Sequence, residues 1–285
     1  MITTIDGWIF WFSELCIFAF MIIMFFVAII IKDNSIIDIC WSLNFILGVS
    51  VSFILNIIYN SVFYIHQIVI TVLILIWGIR LSYHIARRNI GKGEDIRYKE
   101  RREAWGKAFY VKTFFLIFML QALWAAIIAS PAILANSIHH YVSGSRSIFY
   151  DNSIGAMLPL VLGVVVWIIG FFYEVVGDRQ LKQFIKNPEN KGKIIETGLW
   201  KNTRHPNYFG EITMSWGLFI ISIFLALTNP LMWITVVGPI IYTLLIRFVT
   251  GVPEVEKYLI KKPGYKEYQE RTSAIFPWFV KKKKT

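Results

Sequence analysis

Seven long apolar stretches alternate with polar stretches along this chain. They run roughly over residues 8–31, 36–58, 63–81, 111–133, 154–176, 208–227 and 231–248. A helix needs about 20 apolar residues to cross the hydrocarbon core of a bilayer, so each run predicts a transmembrane helix. Runs six and seven are separated only by Thr228, Asn229 and Pro230, which predicts a tight helical hairpin. Two polar stretches read as more than connectors. Residues 89–108 mix charges with strong helix formers, and residues 252–285 mix charges with aromatics. Both predict interfacial helices or caps on one membrane face.

Charge fixes the expected orientation. Lys and Arg total 29, and all but Arg146 fall in alternate polar stretches. Under the positive-inside rule this predicts seven spans, with the N-terminus outside and the C-terminus cytosolic. The fold expected is therefore all-α: a polytopic membrane protein forming a single integral membrane domain over residues 1–285. Composition agrees, with 56% hydrophobic residues, 16% charged residues and a mean hydropathy of +0.57. The net charge of +11 reads as orientation rather than nucleic-acid binding, and the bilayer itself is the expected partner. Cys16 and Cys40 lie in apolar runs without a histidine at ligand spacing, so buried thiols are expected, with no disulfide and no metal site. The first run lacks a basic leader and a small-residue cleavage site, which predicts a retained span.

Polar chemistry concentrates in GLWKNTRHPNYFGE, residues 198–211, where a basic stretch becomes an apolar run. Ionisable groups in a membrane cost roughly 2.5–3.5 kcal/mol each on insertion scales, so each suggests a function. Glu211 falls about one turn inside run six. Glu174 and Asp178 share a helical face at the end of run five. Asp38 opens run two, and Arg80 and His84 close run three. Arg204 and nearby lysines suit phosphate, because guanidinium offers paired donors and a fixed charge. Asn207, Asp178 and Glu211 suit amide and hydroxyl groups, and Trp200, Tyr208 and Tyr268 suit a flat ring. There is no GxGxxG after a strand and no P-loop. The residues alone reach as far as an anionic, flat, polar cofactor held at the cytosolic interface.

The motif GLWKNTRHPNYFGE, with FFYEVVGDRQLKQF before it and Trp216–Gly217 after it, resembles the steroid 5-alpha-reductase superfamily, in particular its broad bacterial and eukaryotic branch. The resemblance continues in WGIRLSYHIARR (77–88), GEDIRY (93–98), GVPEVEKYL (251–259) and PGYKEYQERTSAIFPWF (263–279), and covers most of the chain from about residue 36. It implies a seven-helix oxidoreductase that takes NADPH from the cytosol and gives hydride to a conjugated C=C bond of a lipid-like enone. By position, Asn207 and Glu211 match the family's N-x-x-G-E pattern, and Asp178 matches a cofactor-binding Asp. Glu174 stands where steroid reductases have an Asn. Arg204, His205, Tyr208, Trp200 and Tyr268 are further cofactor candidates. Residues 1–133 would supply the substrate side and 134–285 the cofactor side.

The departures are on the substrate side. Steroid reductases polarise the steroid carbonyl with a Glu in the second span and a Tyr in the third. This chain offers Asp38, Trp41 and Asn44 in the second and Trp77 near the Tyr position. Reduction of an enone needs a proton donor at the carbonyl oxygen and a dry site, and Asp38 or Tyr83 is the expected acid. Two alternatives stand beside this reading. Isoprenylcysteine and phospholipid methyltransferases, which use S-adenosylmethionine, share an RHPxYxG stretch, although they usually lack the Asn and Glu pair. A non-catalytic lipid-binding protein is the other. The membrane expected is the endoplasmic reticulum in a eukaryotic host, where Lys282 and Lys283 resemble a di-lysine retrieval signal, or the inner membrane in a bacterium.

Overall fold

The apolar runs become helices because a backbone in hydrocarbon must satisfy its own N–H and C=O groups within the segment. The computed structural model describes residues 4–60, 62–139, 147–149 and 154–280. Among them, seven helices are long and apolar enough to cross a membrane. The protein is thus an integral membrane protein. His140, Arg146, Lys282 and Lys283 lie outside the described residues.

The chain divides into two compact units. The first comprises residues 1–157 and 222–238. Its helices are α1 (Gly7–Ile31), α2 (Ile36–Tyr59), α3 (Ile65–Asn89), α4 (Ile96–Trp105), α5 (Phe109–Thr113) and α6 (Leu120–Asn136). Between α5 and α6 the helix loosens to a π turn over Phe114–Met119. Large side chains such as Trp11 and Ile30 on α1 are exposed, as a helix facing lipid requires. The buried stripe of α1 packs Met21, Phe25 and Ala28 with Ile37 and Cys40 of α2, Tyr98 of α4 and Phe118.

One end of this unit carries the basic residues, and α4 is strapped across it. Asn34 donates to Glu94, Ser35 Oγ accepts from the Asp95 N–H at 2.7 Å, and Asp95 caps α4 by accepting from the Arg97 N–H. At the opposite end two short sheets tie the helix ends together. Strand β1 (Thr4–Ile5) runs antiparallel to β3 (Ile138–His139), and β2 (Val62–Tyr64) runs parallel to β4 (Ser147–Phe149). His66 is buried in this unit; its Nε2 lies 3.0 Å from the Ala156 carbonyl oxygen, and its ring stacks on Phe224.

The second unit comprises residues 158–221 and 239–285. It takes most of α7 (Ile154–Lys186) and α8 (Pro206–Thr228), then α9 (Val237–Phe248), α10 (Val252–Leu259) and α11 (Tyr265–Arg271). Three differences from the hydropathy pattern have physical causes. Helices α3 and α7 run to Asn89 and Lys186, well beyond the apolar runs, because hydropathy marks lipid contact and not the end of a helix. The last span starts as a 3-10 turn, Pro230–Val236, with Asn229 capping the Leu231 N–H. Pro230 supplies the fixed φ suited to a helix start. Of the two thiols, Cys40 is buried, but Cys16 is only half-buried, since it turns toward the lipid-facing side of α1.

Candidate functional site

Glycines decide how the site is built. Gly163, Gly170 and Gly177 recur every seven residues on α7, and Gly210 and Gly217 do so on α8. A Cβ added at Gly170 would stand 2.6 Å from the Gly210 carbonyl oxygen, and one at Gly210 would stand 2.6 Å from the Glu174 nitrogen. The two backbones are therefore in direct contact, the packing that small residues permit between membrane helices. This seam fixes the depth of the flanking polar residues. Glu174 lies on α7 between Gly170 and Gly177, buried against α8, and Gly177 backs onto the Asn207 nitrogen. Asp178 follows, half-buried. Glu174, Asn207 and Glu211 are thus gathered at one crossing. Their common feature is acceptor oxygen.

One of these groups is held by a neighbour, and another has an oxygen unpartnered among the described residues. Tyr242 on α9 donates to Glu211 Oε2 at 2.5 Å. Tyr242 is itself buried. Asn207 Oδ1 is buried and has no hydrogen-bond partner among the described residues. An orphaned amide oxygen of this kind costs about 1–3 kcal/mol unless a donor fills the place. Tyr208 stacks on His205, with ring centroids 5.2 Å apart and planes 19° apart.

The other residues singled out from sequence form the frame around that crossing. Trp200 is buried and donates to the Gly177 carbonyl at 3.2 Å. Tyr268 is buried and donates to the Trp200 carbonyl oxygen. Arg204 gives Nε to Glu256 at 2.7 Å and Nη1 to the carbonyls of Thr272 and Gln269 at 2.6 and 3.0 Å. His205 Nε2 lies 3.0 Å from Glu256 Oε1, which also accepts from Tyr265. Gln269 donates to Oε2 of the same carboxylate at 2.7 Å. Glu256 is thus a hub that ties the Arg204–His205 loop to α10 and α11. Burial holds the His205 imidazole below its ordinary pKa, against the pull of Glu256. The ring is therefore neutral at pH 7 and can donate to Glu256. Burial pushes the Tyr265 and Tyr268 phenols up, so both stay protonated.

Asp38 and Tyr83 lie in the first unit. Asp38 accepts from Arg97 at 2.6 Å and from the buried Tyr98 hydroxyl at 2.8 Å. Tyr83 is 61% exposed, and its hydroxyl accepts from Arg87 at 3.2 Å.

Sequence reasoning passed over Tyr242, Glu256 and Glu14. Tyr242 and Glu14 were readable as lone polar groups inside apolar runs. Glu256 carried no local signal, because its partners His205 and Arg204 are 51 and 52 residues away.

A helical membrane protein with a cluster of carboxylates and an amide beside a glycine seam is the class these observations define. The chain matches the family model "Protein of unknown function (DUF1295)" over residues 24–272, and so belongs to that family, which lies in the steroid 5-alpha-reductase-like group. A curated relative, the probable O-methyltransferase ustE of Ustilaginoidea virens, is 29% identical over 113 residues. That match takes in 37% of this chain and 34% of the relative, so the chain spans about a third of the length of that protein. No solved structure matches.

Proposed function

We propose that the protein is a membrane oxidoreductase that uses NADPH to reduce a conjugated C=C bond of a lipid enone, with sterol-like molecules as one candidate class. The supporting observation is the gathering of Glu174, Asn207 and Glu211 at the α7–α8 crossing, with the amide oxygen of Asn207 unpartnered. A set of acceptor oxygens fits the amide and hydroxyl donors of a dinucleotide. Asp178 and Tyr208 belong to the same lining in this reading, Tyr208 as a stacking surface. NADPH, when bound, supplies the hydride. The chain supplies position: Tyr242 fixes the Glu211 carboxylate, and the Glu256 hub holds the loop that presents Asn207. Arg204, His205, Trp200 and Tyr268 act through that frame. Because the Arg204 guanidinium is bonded to Glu256 and two carbonyls, the cations for phosphate would be Arg179, Lys182, Lys201 and Arg247 of the same unit.

On the substrate side the proposed acid is Asp38 or Tyr83. Asp38 is the less exposed of the two, but its carboxylate already accepts from Arg97 and from the Tyr98 hydroxyl, so the contacts favour neither residue over the other. D38N or Y83F with unchanged turnover would remove that residue from the role.

A second reading, methyl transfer from S-adenosylmethionine, is favoured by the similarity to the probable O-methyltransferase of Ustilaginoidea virens. The discriminating assay supplies purified protein with NADPH or with methyl-labelled S-adenosylmethionine, plus a lipid extract. Lipid-dependent loss of NADPH supports reduction, and label in the lipid supports methyl transfer.

A further inference from the structure

The first unit buries a carboxylic acid for which neither the reductase nor the methyltransferase reading has a use. Glu14 lies on the buried stripe of α1, 7% exposed, and neither of its carboxyl oxygens has a partner among the described residues. Its surroundings follow from helix register. A Cβ added at Gly48 would stand 2.8 Å from Ile17 Cδ1 and 2.9 Å from Ile133 Cδ1, so α1, α2 and α6 converge in a layer of Ile17, Gly48 and Ile133. From each of these, one turn away from the basic end leads to Glu14 on α1, Ser52 on α2 and Asn136 on α6. A turn rises about 5–6 Å along each axis, so these three residues form the next layer. The pairing of β1 with β3 and the Asp6–Ser137 backbone bond at 2.8 Å close the same helix ends just beyond it.

The hydrogen bonding of this layer is lopsided. Asn136 and Ser52 are fully buried. Asn136 Nδ2 donates to the Val49 carbonyl at 3.1 Å, to Ser52 Oγ at 3.3 Å and to Thr71 Oγ1 on α3 at 3.1 Å. Ser52 donates to the Val49 carbonyl. The donors of Asn136 and Ser52 are therefore used, while both Glu14 oxygens and Asn136 Oδ1 are unpartnered acceptors. No Lys or Arg lies in this half of α1, α2, α3 or α6. Among the described residues, the titratable groups at this end include Asp6, whose carboxylate accepts from Asn60, His66, which stacks on Phe224, and the phenols of Tyr59 and the buried Tyr64; none of them is a fixed cation. A buried ionised carboxylate with neither cation nor donor costs far more than a helix bundle tolerates.

We propose that the Glu14–Ser52–Asn136 layer is a binding site for one monovalent alkali cation, with a proton on Glu14 as its competitor. Three observations set the ligand chemistry. The available ligands are all oxygens, from carboxylate, amide and hydroxyl groups, which suit a hard cation. There is one carboxylate, so a single positive charge leaves the layer neutral and a divalent ion does not. Thr71 Oγ1, held by Asn136, is at hand as a further ligand. At low pH the proton satisfies Glu14 in place of the metal.

The test is thermal unfolding of the full chain in detergent or lipid nanodiscs, with sodium, potassium, lithium or N-methylglucamine chloride at equal ionic strength. At mildly alkaline pH one alkali cation raises Tm by about 2–3 °C over N-methylglucamine at tenfold its Kd. The increment disappears at acidic pH, and E14Q removes it while remaining folded without the ion. Equal Tm in all four salts at alkaline pH overturns the proposal and leaves Glu14 as a permanently protonated acid. An increment that survives in E14Q also overturns it. If E14Q does not fold, the salt series on the wild-type chain decides alone.

Discussion

The phenol of Tyr242 donates to Glu211 Oε2 at 2.5 Å, which joins α9 to the first turns of α8. Hydrogen bonds to charged groups contribute about 1.5–3 kcal/mol, and every 1.4 kcal/mol is tenfold in an equilibrium constant. In the proposed function Tyr242 is a positioning residue. Y242F is expected to lower Tm by a few degrees and to weaken NADPH binding by about 10- to 100-fold, as read by titration of tryptophan fluorescence. Unchanged affinity would mean that Glu211 is held by other contacts or does not face the cofactor.

The glycine seam makes a steric prediction. G170A places a Cβ 2.6 Å from the Gly210 carbonyl oxygen, where only backbone can yield. Overpacking of this kind costs about 1–3 kcal/mol, and the displaced α8 should weaken nucleotide binding as well. At Gly7 an added Cβ meets nothing within 4 Å, so G7A is the matched control. Tm and affinity measured together on both variants check this. A G170A protein equal to wild type would show that the helices are not in backbone contact.

Glu256 gathers Arg204, His205, Tyr265 and Gln269. Removing one partner of a buried charge pair typically costs about 3–5 kcal/mol. E256Q is therefore expected to lower Tm sharply and to expose α11 to proteolysis. R204K should not restore the frame, since one ammonium cannot reach Glu256 and two carbonyls at once. Limited proteolysis of E256Q and R204K beside wild type reads this directly.

The lowered pKa of His205 has a signed consequence. Above its ordinary value of about 6.5 the ring is neutral in both folded and unfolded chains, and its contribution is fully present. As pH falls below that value, the unfolded chain takes up a proton that the buried ring resists, and stability is lost. Between about pH 7.5 and about pH 5.5, Tm should fall more steeply for wild type than for H205Q. Parallel curves would contradict the burial of a neutral His205.

Much of the fold was legible because lipid imposes a coarse rule: about 20 apolar residues for each crossing. The seven runs follow from it, whereas the helical character of 89–108 was legible from its charged helix formers. The ends of α3 and α7 were not legible, since their last turns continue as helix in polar sequence. At the site, Asn207 and Glu211 stood out because carboxylates and amides are rare in apolar runs. The seam at Gly163, Gly170 and Gly177 was equally present in the sequence, but hydropathy gives glycine almost no weight. Arg204 looked like a phosphate ligand until Glu256, far along the chain, came into contact with it. Spacing shows which groups are available; only packing shows which are already committed.

The central claim is that the α7–α8 crossing holds a dinucleotide. Equilibrium dialysis of purified wild-type and N207L protein against NADPH and, separately, S-adenosylmethionine tests it most directly. The account predicts that wild type binds NADPH at one per chain, that N207L loses at least tenfold in affinity, and that S-adenosylmethionine does not bind. Binding of S-adenosylmethionine instead, or NADPH affinity unchanged in N207L, would contradict it.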